Sequence, residues 1–257
     1  MRKRICEISL FLTLLLISGC AAVPPPGTAH LQSGYQAYQQ GQYLNAENIA
    51  RAYIAADTTG KNLSEAYYLA AIAEEHQDEL ALAAQDYQAA IHHSQRPDLQ
   101  GKSYKALGDL SYVQARFNRA VTNYKNSLTI DPSATPDPRM LYRLGIALQN
   151  TGHWNDSRQY LDQLIAGFPN SQLAKSALQR LTMNHFTLQF GAWNNPAAAW
   201  RQVAGLKARG MAATVVSHNI AGRTLFLVQA GVYLTYPAAM AARSAAAAQA
   251  PQVIVVP

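Results

Sequence analysis

Leu188-Gln189-Phe190-Gly191-Ala192-Trp193 and Val228-Gln229-Ala230-Gly231-Val232-Tyr233 are two copies of one pattern. Each is followed by a Pro-Ala-Ala helix start, at Pro196-Ala197-Ala198 and Pro237-Ala238-Ala239. His185 to Gly191 alternates, with Phe186, Leu188 and Phe190 on one face and Thr187 and Gln189 on the other, the period of a half-buried strand. Asn195 as cap, Pro196 as opener and Gly210 as terminator bound an Ala-rich helix carrying Trp200, Val203 and Leu206. Met211 to Ser217 and Arg223 to Ala230 read as two further strands across a loop with Asn219 and Gly222. A second helix from Pro237 to Ala248 and a strand from Gln252 to Val256 complete the tail. The order β-α-β-β-α-β predicts one antiparallel, ferredoxin-like sheet with both helices on one face and the other face bare. From His185 to Pro257 there is no Asp or Glu, against five basic residues: Arg201, Lys207, Arg209, Arg223 and Arg243. Such a sheet suits an anionic or sugar-rich polymer.

Working back from the tail, a repeat of 37 residues runs through the middle of the chain. Gly34, Ala71, Gly108 and Gly145 align, as do Tyr43, Leu80, Phe117 and Trp154. Ala46, Ala83, Ala120 and Ser157 follow, then Ala50, Tyr87, Tyr124 and Leu161, with Pro132 and Pro169 closing the last two units. Small residues let two antiparallel helices approach, and a large residue of the second helix fills the space between them. These columns resemble the tetratricopeptide (TPR) pattern, lengthened by three residues over its roughly 34-residue unit, the addition falling in loops such as Ser133-Ala134-Thr135-Pro136-Asp137-Pro138. Residues 30–183 are therefore expected to form four TPR-like repeats with a capping helix from Ser171 to Met183, an α-solenoid preceding the α/β tail. The resemblance implies a concave groove for a protein or peptide partner, lined here by Tyr35, Tyr38, Tyr68, Ile72, Lys105, Asp109, Tyr112, Tyr142 and Ile146. Tyrosine supplies flat apolar area with a polar tip, as wet grooves use.

Residues 1–19 read as a targeting segment: Arg2, Lys3 and Arg4 precede an apolar run from Ile8 to Ile17 too short to span a bilayer. Ile17-Ser18-Gly19-Cys20 resembles a bacterial lipobox, which implies acylation at Cys20 and, with Ala21 next, the periplasmic face of the outer membrane. Residues 20–29, with Pro24-Pro25-Pro26, form a spacer. Of the two cysteines, Cys6 leaves with the signal, so no disulfide is expected. Losing Arg2, Lys3, Arg4 and Glu7 lowers the formal charge from +6 to +4, and the export signal argues against nucleic acid.

The tail, residues 184–257, resembles the SPOR domain, the sporulation-related repeat, on the two glycine-containing stretches quoted above. That resemblance implies binding to peptidoglycan glycan strands stripped of stem peptides, through the bare sheet face. Gln189 matches the family's polar sheet residue, and strand parity adds Thr187, Leu225, Leu227 and Gln229. Ala192 stands where the family commonly has Ser, and Leu227 where it commonly has Arg. An acid-free surface avoids repulsion from the lactyl carboxylates of a stripped strand. Trp193 and Tyr233 are placed as staples between strand and helix.

Once signal, stack and tail are assigned, no segment remains for a catalytic domain. His92 and His93 are adjacent and cannot share a metal from one helix side. Gly101-Lys102-Ser103 imitates the end of a phosphate loop, but Arg96 occupies the place of its first glycine. No cofactor is implied. The expected role is a non-catalytic envelope adaptor; the alternative is a TPR lipoprotein serving as assembly factor or pilotin for a secretin or Tad-type pilus. With no long linker before the tail, the stack itself is expected to act as the spacer between membrane and wall.

Overall fold

The structure, a computed structural model, describes residues 28–56, 60, 62–132, 136–220, 222–248 and 250–257. The signal segment, Cys20, the spacer before residue 28 and loop residues 133–135 lie outside the described residues.

Nine helices precede the first strand among the described residues: α1 Thr28–Gln39, α2 Tyr43–Ala56, α3 Leu63–His76, α4 Leu80–His93, α5 Pro97–Val113, α6 Phe117–Ile130, α7 Pro138–Asn150, α8 Trp154–Gly167 and α9 Gln172–Arg180. The sequence period fixes their layout closely. Each even-numbered helix starts on its column residue, Tyr43, Leu80, Phe117 or Trp154, and each is 14 residues long. Within each pair, the small-residue column sets the approach. A Cβ placed on Gly108 would lie 2.5 Å from the Tyr124 ring, and one on Gly145 would lie 2.6 Å from Leu161. The side chains that fill these gaps, Tyr87, Tyr124 and Leu161, are fully buried.

A second period-37 feature is invisible in residue types. Two positions past the end of each first helix stands a residue in the left-handed region: Gly41 (φ 76°), Asp78 (φ 63°), Ala115 (φ 55°) and Gly152 (φ 85°). The next amide then bonds back five residues, Gln42 to Ala37, Glu79 to Glu74, Arg116 to Ser111 and His153 to Leu148. This is the Schellman closure, which satisfies a terminal carbonyl while turning the chain.

The tail follows as β1 Phe186–Trp193, α10 Pro196–Lys207, β2 Ala213–Ile220, β3 Arg223–Tyr233, α11 Tyr236–Ala247 and β4 Ile254–Val256. The sheet is antiparallel in the order β2-β3-β1-β4. Asn195 and Thr235 cap the two helices through their side-chain oxygens, with Pro in the first turn of each. Leu188, Phe190, Ala199, Val203, Leu206, Val228 and Val253 form the core between sheet and helices. Trp200 is not part of it: the indole is 53% exposed on the outer side of α10.

The tail does not stand beyond the end of the stack. It is laid against the edge formed by the α5–α6 and α7–α8 turns. Trp154 donates from Nε1 to the Leu234 carbonyl at 2.9 Å, and its ring meets Phe186 at 5.3 Å. Tyr236 contacts Phe186 at 5.7 Å and Phe117 at 6.1 Å. Gly152 is tight here too, since a Cβ on it would lie 3.0 Å from Thr235. The expected spacer role for the whole stack is thereby altered, because the sheet domain rests alongside the last two repeats.

Candidate functional site

Two regions concern function, the open sheet face and the row of first helices. On the sheet, core membership assigns the faces. Leu188 and Phe190 of β1 and Phe226, Val228 and Ala230 of β3 point to the helices; Thr187 and Gln189, and Leu225, Leu227 and Gln229, therefore point away. Among the described elements α10 and α11 cover the first face of the sheet and the stack reaches it at Phe186, at the start of β1, so the second face is open.

The register brings the two glutamines together. Gln189 pairs with Gln229, Gln229 also with Thr214, and Gln189 also with Ile254. A row Thr214–Gln229–Gln189–Ile254 thus crosses all four strands, with two adjacent amides at its centre. Each amide offers two donors and an acceptor, the groups that hydroxyl- and acetamido-bearing sugars pair with. The other sequence-selected residues differ in access. Leu225 is half-buried. Thr187 is 7% exposed and its hydroxyl donates to the Ala230 carbonyl at 3.2 Å, and Leu227 is 9% exposed. Those two shape the sheet more than they offer a ligand contact. Thr214, His218 and Ile254 share the open face and were missed, although strand parity on β2 and β4 would have found them.

The duplicated motif has a geometric explanation. Between Gln189 and Gly191 the β1–β3 register slips by one residue, and it slips again between Phe186 and Leu188, opposite Gly231. Such bulges change which way the following side chain points. Trp193 comes opposite Phe226 on the helix side, where Nε1 donates to Gln202 Oε1 at 2.7 Å, and Gln202 in turn donates to the Phe190 carbonyl at 3.0 Å. Tyr233 comes opposite Phe186 on the same side and packs on the core. Glycine is required at both places: a Cβ on Gly191 would lie 2.9 Å from the Trp193 nitrogen, and one on Gly231 (φ 82°) would lie 2.5 Å from the Tyr233 ring. Ala192 and Leu227, the two departures from the SPOR pattern, are direct cross-strand partners. With Val216 opposite Leu227 they form an apolar row beside the amide row.

The tail cations do not gather on this face. The face is free of acid, but of the five tail cations only Arg223, at the hairpin end of β3, falls on it by parity. Arg243 donates to the Val253 carbonyl at 2.9 Å, and the other three belong to α10 and the turn that follows it.

In the stack, the nine groove residues all fall on first helices, α1, α3, α5 and α7. Burial pushes up the hydroxyl pKa of Tyr35 and Tyr38, and that of Tyr68 to about 12. Tyr38 meets His76 through its hydroxyl at 2.9 Å. Lys105 and Asp109 are occupied in holding repeats together. Asp109 Oδ1 accepts from Tyr124 and from Arg143, each at 2.6 Å, and Oδ2 accepts from Lys105 at 3.1 Å. The Arg143 guanidinium also lies 5.4 Å from the centre of the Tyr112 ring. Arg143 was not legible as a site residue, because it follows Tyr142 by one position and its partner sits in the preceding repeat. Ile146 is only 6% exposed, so it serves packing. Tyr142 stays half-buried.

Comparison with known proteins agrees with this division. The SPOR domain family model matches residues 182–257. Solved structures similar to the helical part include the Cut9–Hcn1 hetero-tetramer of the APC/C (TM-score 0.50, 14% identity, 60% of this chain and 29% of that one). Others are YrrB, a TPR protein with an unusual peptide-binding site (TM-score 0.48, 16% identity, 59% and 73%), and the C-terminal part of a TPR repeat-containing protein from Cytophaga hutchinsonii (TM-score 0.46, 17% identity, 59% and 64%). The chain thus spans just under two thirds of the Cytophaga fragment. No curated protein matches the sequence. The chain is a TPR-like helical solenoid followed by a small antiparallel-sheet domain that matches the SPOR family model. No helix among the described residues is long and apolar enough to cross a membrane.

Proposed function

We propose that the protein is a non-catalytic envelope adaptor that binds stripped peptidoglycan glycan strands on the open face of its sheet and an envelope protein or peptide on its helical stack. It is held to the periplasmic face of the outer membrane by a lipid on Cys20. The observation that carries the reading is the pair of adjacent amides, Gln189 and Gln229, on an open, acid-free face within a SPOR-matched segment. The lipid anchor is supported by Ile17-Ser18-Gly19-Cys20. On the stack, the half-buried tyrosines Tyr35, Tyr38, Tyr68, Tyr112 and Tyr142 offer part of each ring to the groove, whereas Lys105 and Asp109 are engaged in ion pairs between repeats 3 and 4.

The test is retention of the full chain on sacculi with and without amidase treatment. Stronger retention after stem peptides are removed is expected. Absent retention, or equal retention on both, would sink the glycan reading. Gln189→Glu, which adds a negative charge to the centre of the amide row, is expected to weaken retention, whereas an unaffected variant would remove that row from the site.

A further inference from the structure

The two edges of the sheet are built differently. β4, at one edge, has three residues, Ile254–Val256, set between Pro251 and Pro257. β2, at the other, has eight residues, Ala213–Ile220, and pairs with β3 along its whole length without a register shift. Shortness, proline, a bulge or a charged side chain keeps an edge strand from pairing with another chain. β4 has the first two of these. β2 has none, and its one titratable side chain is His218. Thr214, Ser217, His218 and Asn219 are exposed. Among the described residues, no backbone hydrogen bond outside the β2–β3 ladder reaches Thr214 to Asn219. The surroundings leave this edge clear. α11, which meets the stack through α7, contacts β1, β3 and β4 but not β2, and no described helix of the stack contacts β2. α10 spans β1 and β3 as well as β2, so it sits back from the edge.

We infer that β2 pairs antiparallel with β2 of a second copy of this chain across a two-fold axis, joining two sheets into one. Directly opposed residues of antiparallel strands share a face, and β2 meets that condition against itself about Val216. On the open face Val216 then stands opposite Val216 of the second copy, and Thr214 opposite His218. On the helix side Val215 stands opposite Ser217, and Ala213 opposite Asn219. No two charges of one sign meet within the pairing. A foreign strand would have to match this alternation and this length, whereas the second copy does so by symmetry. Because β4 is blunted, the assembly closes at two copies and does not extend into a fibre. The Thr214 end of the amide row meets His218 of the second copy, so the open faces become one surface carrying two Gln189–Gln229 pairs. A polymer on that surface would be held at two points and lost only when both release. The pairing itself does not depend on what the face binds.

The experiment uses the full chain without cysteine, Cys6→Ser/Cys20→Ser, in sedimentation velocity over a dilution series. A dimer that dissociates on dilution is expected. Val216→Lys sets two ammonium groups opposite each other on the axis and is expected to raise the dissociation constant about tenfold or more, with circular dichroism unchanged. In the same background Val216→Cys brings two thiols within the Cα separation that a disulfide spans, so mild oxidation is expected to give a crosslinked dimer. Ile254→Cys, on the opposite edge, is expected to give none. A chain that is monomeric at every concentration overturns the proposal and leaves the edge to a foreign strand. A dimer that Val216→Lys does not weaken, or that crosslinks no better through Val216→Cys than through Ile254→Cys, also overturns it, by placing the interface elsewhere.

Discussion

The stack and the tail both bury apolar surface, but they treat charge in opposite ways. In the stack, carboxylates are drawn into the contacts between repeats. Arg51 binds both Glu74, whose side chain is fully buried, and Asp86 at 2.7 Å, so one guanidinium joins α2, α3 and α4. Asp109 does the converse, collecting Tyr124, Arg143 and Lys105. The tail has no acidic side chain from His185 onward, and its Arg243 and Arg209 are held by backbone carbonyls. Repeats built on one template need polar contacts to fix which unit meets which. A small sheet gets its register from strand pairing and bulges, and its arginines Arg209 and Arg243 turn to backbone carbonyls rather than to carboxylates.

Four substitutions probe that contrast, in order of expected effect. Gly108→Val forces a branched side chain into the Tyr124 ring and is expected to cost about 3 kcal/mol, seen in urea unfolding followed by helical circular dichroism; a loss below about 1 kcal/mol would mean that the helices can separate cheaply. Trp154→Ala removes the indole bond to Leu234 and the Phe186 contact. It is expected to cost about 2 kcal/mol and to split a shared calorimetric transition into separate stack and tail transitions. A single sharp transition in this variant would show that coupling runs elsewhere.

A smaller effect depends on pH. Burial and the neighbouring Asp86 raise the Glu74 pKa from 4.5 to about 7, against the opposing pull of Arg51, with Glu47 adding to the rise; burial raises Asp86 as well. Because the folded state holds the Glu74 proton more tightly than the unfolded chain, this contribution is fully present below about pH 4.5 and is lost as pH rises through about 7. Stack stability should therefore fall on the order of 1 kcal/mol over that window, and Glu74→Gln should flatten the slope while the tail stays insensitive. A slope unchanged in the variant would assign the titration to another group. The mildest change is Ala115→Gly. Relief of a non-glycine residue at φ 55° is partly offset by the added freedom of the unfolded chain. A net gain of about 0.5 kcal/mol is expected, measurable as a raised melting temperature, and a loss would show that the Ala115 methyl packs usefully.

The comparison also explains what could be read in the sequence. Gly108 and Tyr124, or Gly145 and Leu161, are legible because a close approach permits few residue types, and the start of every second helix followed from the same columns. The turn column was hidden because Asp78 and Ala115 occupy a conformation usually marked by glycine. In the tail, alternation assigned Gln189 and Gln229 to one face. The same rule carried past Gly191 would have put Trp193 on that face, and only the register slip turns it to the helices. The helix bounds Asn195 and Gly210 already placed Arg201, Lys207 and Arg209 on or beside α10, but the count of five cations did not show that only Arg223 falls on the open face. The inter-repeat role of Asp109 depended on Arg143, a partner 34 residues away.

The Trp154–Phe186–Tyr236 contact has a consequence for searching. A domain on a flexible tether samples a volume set by its linker and meets its ligand at a raised local concentration. Here only Leu181 to His185 join α9 to β1, and the tail is braced by aromatic rings on the neighbouring edge. The sheet is presented at one bearing, so it cannot sweep for a strand by itself. On the proposed reading the whole molecule drifts until wall and sheet are aligned, and any pull on a bound strand passes straight into the last two repeats.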